Sequence, residues 1–176
     1  MSSIRERLEA IEADITTLSY DAIVNAANSA LMPGGGVDGA IRRKAGPELT
    51  ERLYRIGRCE EGEAIITPGF RLPAKHVIHT VAPIWNGEDS DTQVSTLARC
   101  YANSLRLADE HSIRSIAFPC IGTGIYGWPS DLAGDIAFHE VTKHLRTSSV
   151  QTMVTFCCFS QADKARYAEL IAWMKD

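Results

Sequence analysis

The length and composition of this chain are those of one globular domain. Its 176 residues, 45% of them hydrophobic, are enough to bury an ordinary core, so we expect a single domain over residues 1–176. Its formal net charge of −4 argues against non-specific nucleic-acid binding, which requires a basic face.

Strands and helices alternate from the N-terminus onward. Short apolar runs bounded by turn residues predict strands at residues 8–15, 22–26, 64–67 and 75–81. Helices are expected to begin near Asp38, because an acidic side chain suits a helix N-terminus, and near Pro47, whose ring favours a first helical turn.

The C-terminal half continues this alternation. Apolar residues at helical spacing predict a helix over residues 93–111, with further helices at 132–145 and 162–174 and strands at 115–118 and 152–159. Adjacent residues of a strand point to opposite faces, so we expect this of Cys157 and Cys158. The alternation indicates an α/β fold with a largely parallel sheet covered on both faces.

Two glycine-rich loops each follow a predicted strand. The first glycine loop is PGGGVDG at residues 33–39, and the second glycine loop is IGTGIYG at residues 121–127. Sheets of this kind bind ligands beyond the carboxyl ends of their strands. Glycine lets backbone N–H groups approach a ligand, and clusters of N–H groups before a helix attract anions. We therefore expect a ligand with more than one phosphate.

Neither loop fits the two common phosphate-binding motifs. No Gly-Lys-Ser/Thr follows either loop, which excludes a Walker A motif. The glycines also miss the G-x-G-x-x-G spacing of dinucleotide-binding domains. For either loop taken alone, an ordinary glycine turn remains the alternative.

Cysteine usage and hydropathy indicate the cellular setting. The five cysteines form no C-x-x-C pair, and their number is odd. The N-terminal residues lack the apolar stretch of a signal peptide, and no apolar run approaches the roughly 20 residues of a membrane span. We therefore expect a cytoplasmic protein with reduced thiols and no membrane partner.

Five blocks of this sequence resemble the macrodomain family in order and spacing. They are Asp14-Ile15, VNAAN at 24–28, GGGVDGAI at 34–41, HTVAP at 79–83 and FPCIGTGIYG at 118–127. The resemblance covers nearly the whole chain. More narrowly, it is to the MacroD-type branch, which includes bacterial O-acetyl-ADP-ribose deacetylases and mono-ADP-ribosyl-protein hydrolases. It implies a three-layer α/β/α macrodomain with a mixed, mainly parallel central sheet.

The resemblance implies how ADP-ribose would be bound. Asp14 would accept a hydrogen bond from the adenine amino group beside the Ile15 backbone, and Phe159 would pack against adenine. The diphosphate and distal ribose would meet backbone amides of the two glycine loops, at Gly36, Val37, Gly122, Thr123, Gly124, Ile125 and Tyr126. Considered without the family, Asp14 is explained as well by a turn that ends a strand, and Phe159 by core packing.

Two polar residues carry the chemistry that the resemblance implies. Asn28 would bind the distal ribose, because its amide both donates and accepts hydrogen bonds. Asp38 would act there as general base towards a water or a ribose hydroxyl, and Tyr126 would cover that ribose. The alternatives are a helix cap for Asp38 and core packing for Tyr126.

The function expected from these residues is hydrolysis of an ester at the distal ribose of ADP-ribose. The substrates would be O-acetyl-ADP-ribose, which releases acetate, and mono-ADP-ribose on acidic side chains of proteins. The alternative is a non-catalytic module that only binds ADP-ribose, although a reader has no need of Asp38 beside the phosphates. No metal or cofactor is expected, because the scattered histidines form no ligand set.

Overall fold

The computed structural model describes residues 2–88 and 90–175, so Met1, Asp89 and Asp176 of the expected domain lie outside the described residues. Within them the sheet contains β1 (Leu8–Glu12), β2 (Ala22–Ala26), β3 (Ala64–Pro68), β4 (His76–Thr80), β5 (Ser115–Phe118) and β6 (Met153–Cys158). The strands lie in the order β1-β6-β5-β2-β4-β3. Only β3, at one edge, runs antiparallel to its neighbour among these strands. The predicted mixed, mainly parallel sheet is confirmed.

Helices cover both faces of the sheet. They are α1 (Gly36–Ala45), α2 (Pro47–Ile56), α3 (Asp91–Glu110), α4 (Ser130–Thr147) and α5 (Gln161–Trp173). Alternate residues of β2 face different layers, because Ile23 packs in a cluster with α1 and α2, whereas Val24 packs in the cluster of α3, α4 and α5. The architecture is therefore α/β/α in three layers, as predicted.

The first strand is shorter than predicted. It ends at Glu12, and Ile15–Thr17 form a short 3-10 helix instead of the last residues of a strand. Asp14 is the N-cap of this helix, because its side chain accepts a hydrogen bond from the Thr16 N–H at 3.0 Å. A local side-chain bond of this kind competes with strand pairing.

The other predicted elements are present, with ends that differ by a few residues. Cys157 and Cys158 pack in the two different clusters, on opposite faces of β6, which confirms the prediction for this pair. Among residues 2–88 and 90–175, none of the helices combines the length and the hydropathy required to cross a membrane.

Candidate functional site

A cavity of about 670 Å³ lies where β2, β5 and β6 end, and both glycine loops line it. Every residue predicted for the site lines this cavity except Asp14 and Ile15. The segments after three parallel strands meet here because their carboxyl ends share one edge of the sheet. The structure thus brings together the two loops that the sequence separates by more than 80 residues.

Asp14 and Ile15 lie next to the end of β6 but outside the cavity lining. The Ala13 N–H donates to the Cys158 carbonyl at 3.1 Å, which places this segment beside the strand that Phe159 follows. Hydrogen bonds from the Thr16 hydroxyl and N–H lower the pKa of Asp14, and Ile15 is buried. The contact of these two residues with adenine stays a prediction.

The first glycine loop presents free amides at the start of α1. The N–H groups of Gly36, Val37 and Asp38 have no acceptor among the described residues. Gly36 has a φ of +56°, a left-handed conformation that glycine adopts without steric cost. Unpaired N–H groups at a helix N-terminus form a site for an anion.

The second glycine loop presents further amides from the facing side. Within the described residues, the N–H groups of Gly122, Gly124, Ile125 and Tyr126 also have no acceptor. Thr123 differs from the prediction, because its N–H and its hydroxyl donate to the Cys120 carbonyl at 3.3 and 2.9 Å. Its amide is therefore occupied by the loop itself and is not free for a phosphate.

Asp38 is held on three sides. Its Oδ2 accepts hydrogen bonds from the Gly34 N–H at 2.8 Å and from the Arg42 Nε–H at 2.9 Å. Its Oδ1 accepts one from the Asn25 Nδ2–H at 2.8 Å. A carboxylate offers about four lone-pair sites, so one site, on Oδ1, is left. The helix-cap alternative is wrong in detail, because the N-cap is Gly35 and Asp38 ties the loop to the helix from the first turn.

Arg42 is one of the partners of Asp38 that the sequence analysis missed. Besides Asp38, it binds the Leu31 carbonyl through Nη2 at 2.9 Å and the Thr50 hydroxyl through Nη1 at 3.3 Å. The signal was present, since an acidic and a basic residue four positions apart on a helix lie on one face. Arg42 therefore joins the first glycine loop, α1 and α2.

Asn28 lies at the cavity with part of its amide already used. Its Nδ2 donates to the Met32 carbonyl at 2.8 Å, and its Oδ1 accepts from the Met32 N–H at 3.0 Å. These bonds close the turn before the first glycine loop and fix the amide plane. One N–H and one lone pair of Asn28 remain for a ligand.

Two aromatic residues line the cavity. Phe159 is 65% exposed, so core packing does not explain it. Tyr126 is half-buried and packs against the core cluster, so this side chain contributes both to the cavity wall and to core packing. Its carbonyl accepts the Trp85 N–H at 2.8 Å, and this bond anchors the second glycine loop to the segment after β4.

The Cys120 thiol at the cavity is a weak nucleophile. Cys120 lines it, but a hydrogen bond to Cys158 and burial raise the pKa of the Cys120 thiol above its ordinary value. A thiol with a raised pKa supplies little thiolate for nucleophilic attack. In the part of the chain that the structure describes, no group of three or more His, Cys, Asp or Glu side chains is arranged to hold a metal ion.

Comparison with known proteins establishes the family. A family model described as Macro domain matches residues 24–137. The chain belongs to the macrodomain family. A macrodomain from Oceanobacillus iheyensis, solved with ADP, superposes with a TM-score of 0.89 at 42% identity, over 94% of this chain and 90% of that chain.

Two curated relatives of this macrodomain carry enzyme names. The O-acetyl-ADP-ribose deacetylase of Salmonella typhimurium is 45% identical over 174 residues, which cover 97% of both proteins. The ADP-ribose glycohydrolase MACROD1 of Bos taurus is 46% identical over 167 residues, which cover 94% of this chain and 51% of that protein. These names support an ADP-ribose-processing hydrolase.

Proposed function

We propose that this macrodomain hydrolyses esters at the distal ribose of ADP-ribose. Its substrates are O-acetyl-ADP-ribose, which yields acetate and ADP-ribose, and proteins that carry mono-ADP-ribose on acidic side chains. The observation that carries the proposal is a cavity walled by two sets of unpaired amides with an oriented carboxylate at one of them.

The amides support the choice of a pyrophosphate ligand. The first glycine loop offers the N–H groups of Gly36 and Val37, and the second offers those of Gly124 and Ile125. Two opposed sets match two linked phosphates better than one, and a helix N-terminus adds a favourable dipole on one side. Cationic side chains are not needed for this recognition, which agrees with the net charge of −4.

Asp38 supports hydrolysis over binding alone. Its single open site on Oδ1 can accept a proton from a water or a ribose hydroxyl, while its other contacts keep the carboxylate fixed. In the acetyl ester, one water is consumed, the acyl carbon–oxygen bond breaks, and acetate leaves. Asn28, at the same wall, would hold a ribose hydroxyl with its remaining N–H and lone pair.

The test compares turnover with binding in Asp38→Asn and Asn28→Ala. Both Ala and Asn remove the charge that pairs with the buried Arg42 guanidinium, but Asn keeps the shape and an oxygen that can accept from the Gly34 N–H and the Arg42 Nε–H, so it is the better substitution. We expect Asp38→Asn to bind ADP-ribose but to lose most deacetylation, as measured by acetate release and calorimetry. The wild-type protein would be the non-catalytic reader module instead if it bound ADP-ribose but released neither acetate from O-acetyl-ADP-ribose nor ADP-ribose from a modified protein.

A further inference from the structure

A fully buried histidine lies behind the carboxylate of the site. His79, in β4, has no exposed surface. Its Nδ1 lies 3.1 Å from Asn25 Nδ2, and its Nε2 lies 3.0 Å from Thr67 Oγ1. Burial in the first place, and the charge of Arg42 in the second, lower the pKa of His79 to about 3. The imidazole is therefore neutral at physiological pH.

The hydrogen bonds around His79 run in one direction. Asn25 Nδ2 gives one hydrogen to Asp38 Oδ1, so its other hydrogen faces His79 Nδ1, which must accept. The proton of the imidazole is then on Nε2 and is donated to Thr67 Oγ1. The Thr67 hydroxyl in turn donates to the Pro68 carbonyl at 3.1 Å. This network assigns the tautomer.

Little else fixes the Asn25 amide. Its Oδ1 is buried and has no hydrogen-bond partner among the described residues. Its orientation therefore depends on the two contacts of Nδ2, one to His79 and one to Asp38. If His79 carried its proton on Nδ1, that N–H would face the Asn25 N–H, and rotation of the amide would turn an oxygen towards the carboxylate.

We propose that His79 is a positioning residue for Asp38, acting through the Asn25 amide. The chain Thr67–His79–Asn25 crosses from the edge strand β3 through β4 to β2 and ends at the carboxylate. It fixes the direction of Oδ1, the oxygen that has an open site. This inference rests on the proposed function, because positioning has a measurable effect only on a reaction at Asp38.

The kinetic test uses Thr67→Val with Thr80→Val as the matched control. Both threonines are buried, but the Thr80 hydroxyl donates to the Glu63 carbonyl at 2.8 Å and takes no part in the hydrogen-bond chain Thr67–His79–Asn25. We expect Thr67→Val to lower kcat about tenfold with KM and the Kd of ADP-ribose unchanged, whereas Thr80→Val keeps the wild-type kcat at a similar Tm. Equal kcat in the two variants would overturn the proposal.

A conservative rescue separates positioning from packing. His79→Gln keeps an acceptor for Asn25 and a donor for Thr67, whereas His79→Leu keeps neither. We expect the Gln variant to retain more kcat than the Leu variant when both are saturated with O-acetyl-ADP-ribose. Equal kcat in these two variants would show that His79 only fills space.

A readout without turnover keeps the inference separate from the proposed function. The ¹⁵N chemical shifts of the His79 imidazole should show a protonated Nε2 and an unprotonated Nδ1 in the wild type. A protonated Nδ1 would overturn the proposal whatever the enzyme does. Wild-type protein with the expected tautomer and no hydrolysis of either substrate would refute the proposed function, and with it any role for His79 in a reaction.

Discussion

Arg42 and Asp38 form a buried ion pair, with Nε 2.9 Å from Oδ2 and side chains only 6% and 4% exposed. A carboxylate beside a diphosphate would repel the ligand, and the ion pair with Arg42 reduces this repulsion. The guanidinium sits on the same carboxylate and offsets its charge. The cavity can therefore combine an oriented acid with the anion site that we propose at the same wall.

The first prediction concerns the loss of this cation. Arg42→Met leaves Asp38 buried without a counter-ion, and breaking a buried pair in this way costs about 3–5 kcal/mol. We expect a loss of that size in the free energy of unfolding, measured with urea, together with weaker ADP-ribose binding measured by calorimetry.

A surface pair provides the control for Arg42. Arg106 and Glu110 have the same spacing on α3, but their side chains are 51% and 49% exposed. Arg106→Met should change the free energy of unfolding by less than about 1 kcal/mol. Adding Asp38→Asn to Arg42→Met should recover part of the lost stability, and a double variant less stable than Arg42→Met would contradict this account.

The second prediction contrasts two loop glycines. Gly122 has a φ of +86°, and a Cβ there would lie 2.7 Å from Cδ1 of the buried Trp128. Gly122→Ala should lower the free energy of unfolding by about 1–3 kcal/mol and weaken ADP-ribose binding. Gly35 has an extended backbone and open space at its Cβ position, at the cavity wall.

The urea concentration at the midpoint of unfolding should therefore be the same for Gly35→Ala as for the wild type. Its ADP-ribose affinity should fall about tenfold, or about 1.4 kcal/mol, because the methyl group takes space at the wall that the ligand needs. Wild-type affinity in Gly35→Ala would show that the ligand does not approach the first glycine loop.

The third prediction concerns the exposed aromatic ring at the cavity. Stacking of a base on an aromatic side chain contributes about 1–3 kcal/mol. We expect Phe159→Ala to lose affinity for ADP-ribose in that range and to lose little affinity for ribose 5-phosphate, which has no base. Trp173, 78% exposed on α5 and outside the cavity lining, is the control. An equal effect of Trp173→Ala would remove stacking as the cause.

The fourth prediction is an acid-dependent loss of stability due to His79. Its pKa is about 3 in the folded protein, against the ordinary histidine value of 6.5 in an unfolded chain. Between these values the unfolded state binds more protons, so the free energy of unfolding falls as the pH falls from 6.5 towards 3. The slope from this residue is at most about 1.4 kcal/mol per pH unit.

His79→Gln should flatten that slope. Urea unfolding of both proteins at several pH values between 4 and 7 measures the difference, which cancels the contributions of Asp14 and Asp21, whose lowered pKa values act in the same direction. Parallel curves for the two proteins would mean that His79 is not buried in its neutral form.

The sequence predicted the sheet, its helices and both glycine loops, because these follow from hydrophobic period, turn residues and glycine. It did not predict the partners of Asp38. The apolar pattern places His79 in a strand, but it does not show which polar groups face it from β2 and β3. Those contacts depend on the order of the strands in space, and Asn25 and Thr67 are far from His79 in the chain.

The hydrophobic pattern also did not predict where the first strand ends. Residues 13–15 are as apolar as the strand before them, but Asp14 bonds Thr16 and turns the backbone into a short helix. Local hydrogen bonds to Asp14 thus favour the short helix over a longer strand of similar hydropathy.

The hydrogen bond from the Gly34 N–H to Asp38 exists in the free protein. The first glycine loop is consequently preorganised, and a nucleotide that arrives there does not have to order it. Association should then proceed at a rate close to that of a rigid receptor, and differences in affinity among analogues should arise from how slowly each one dissociates.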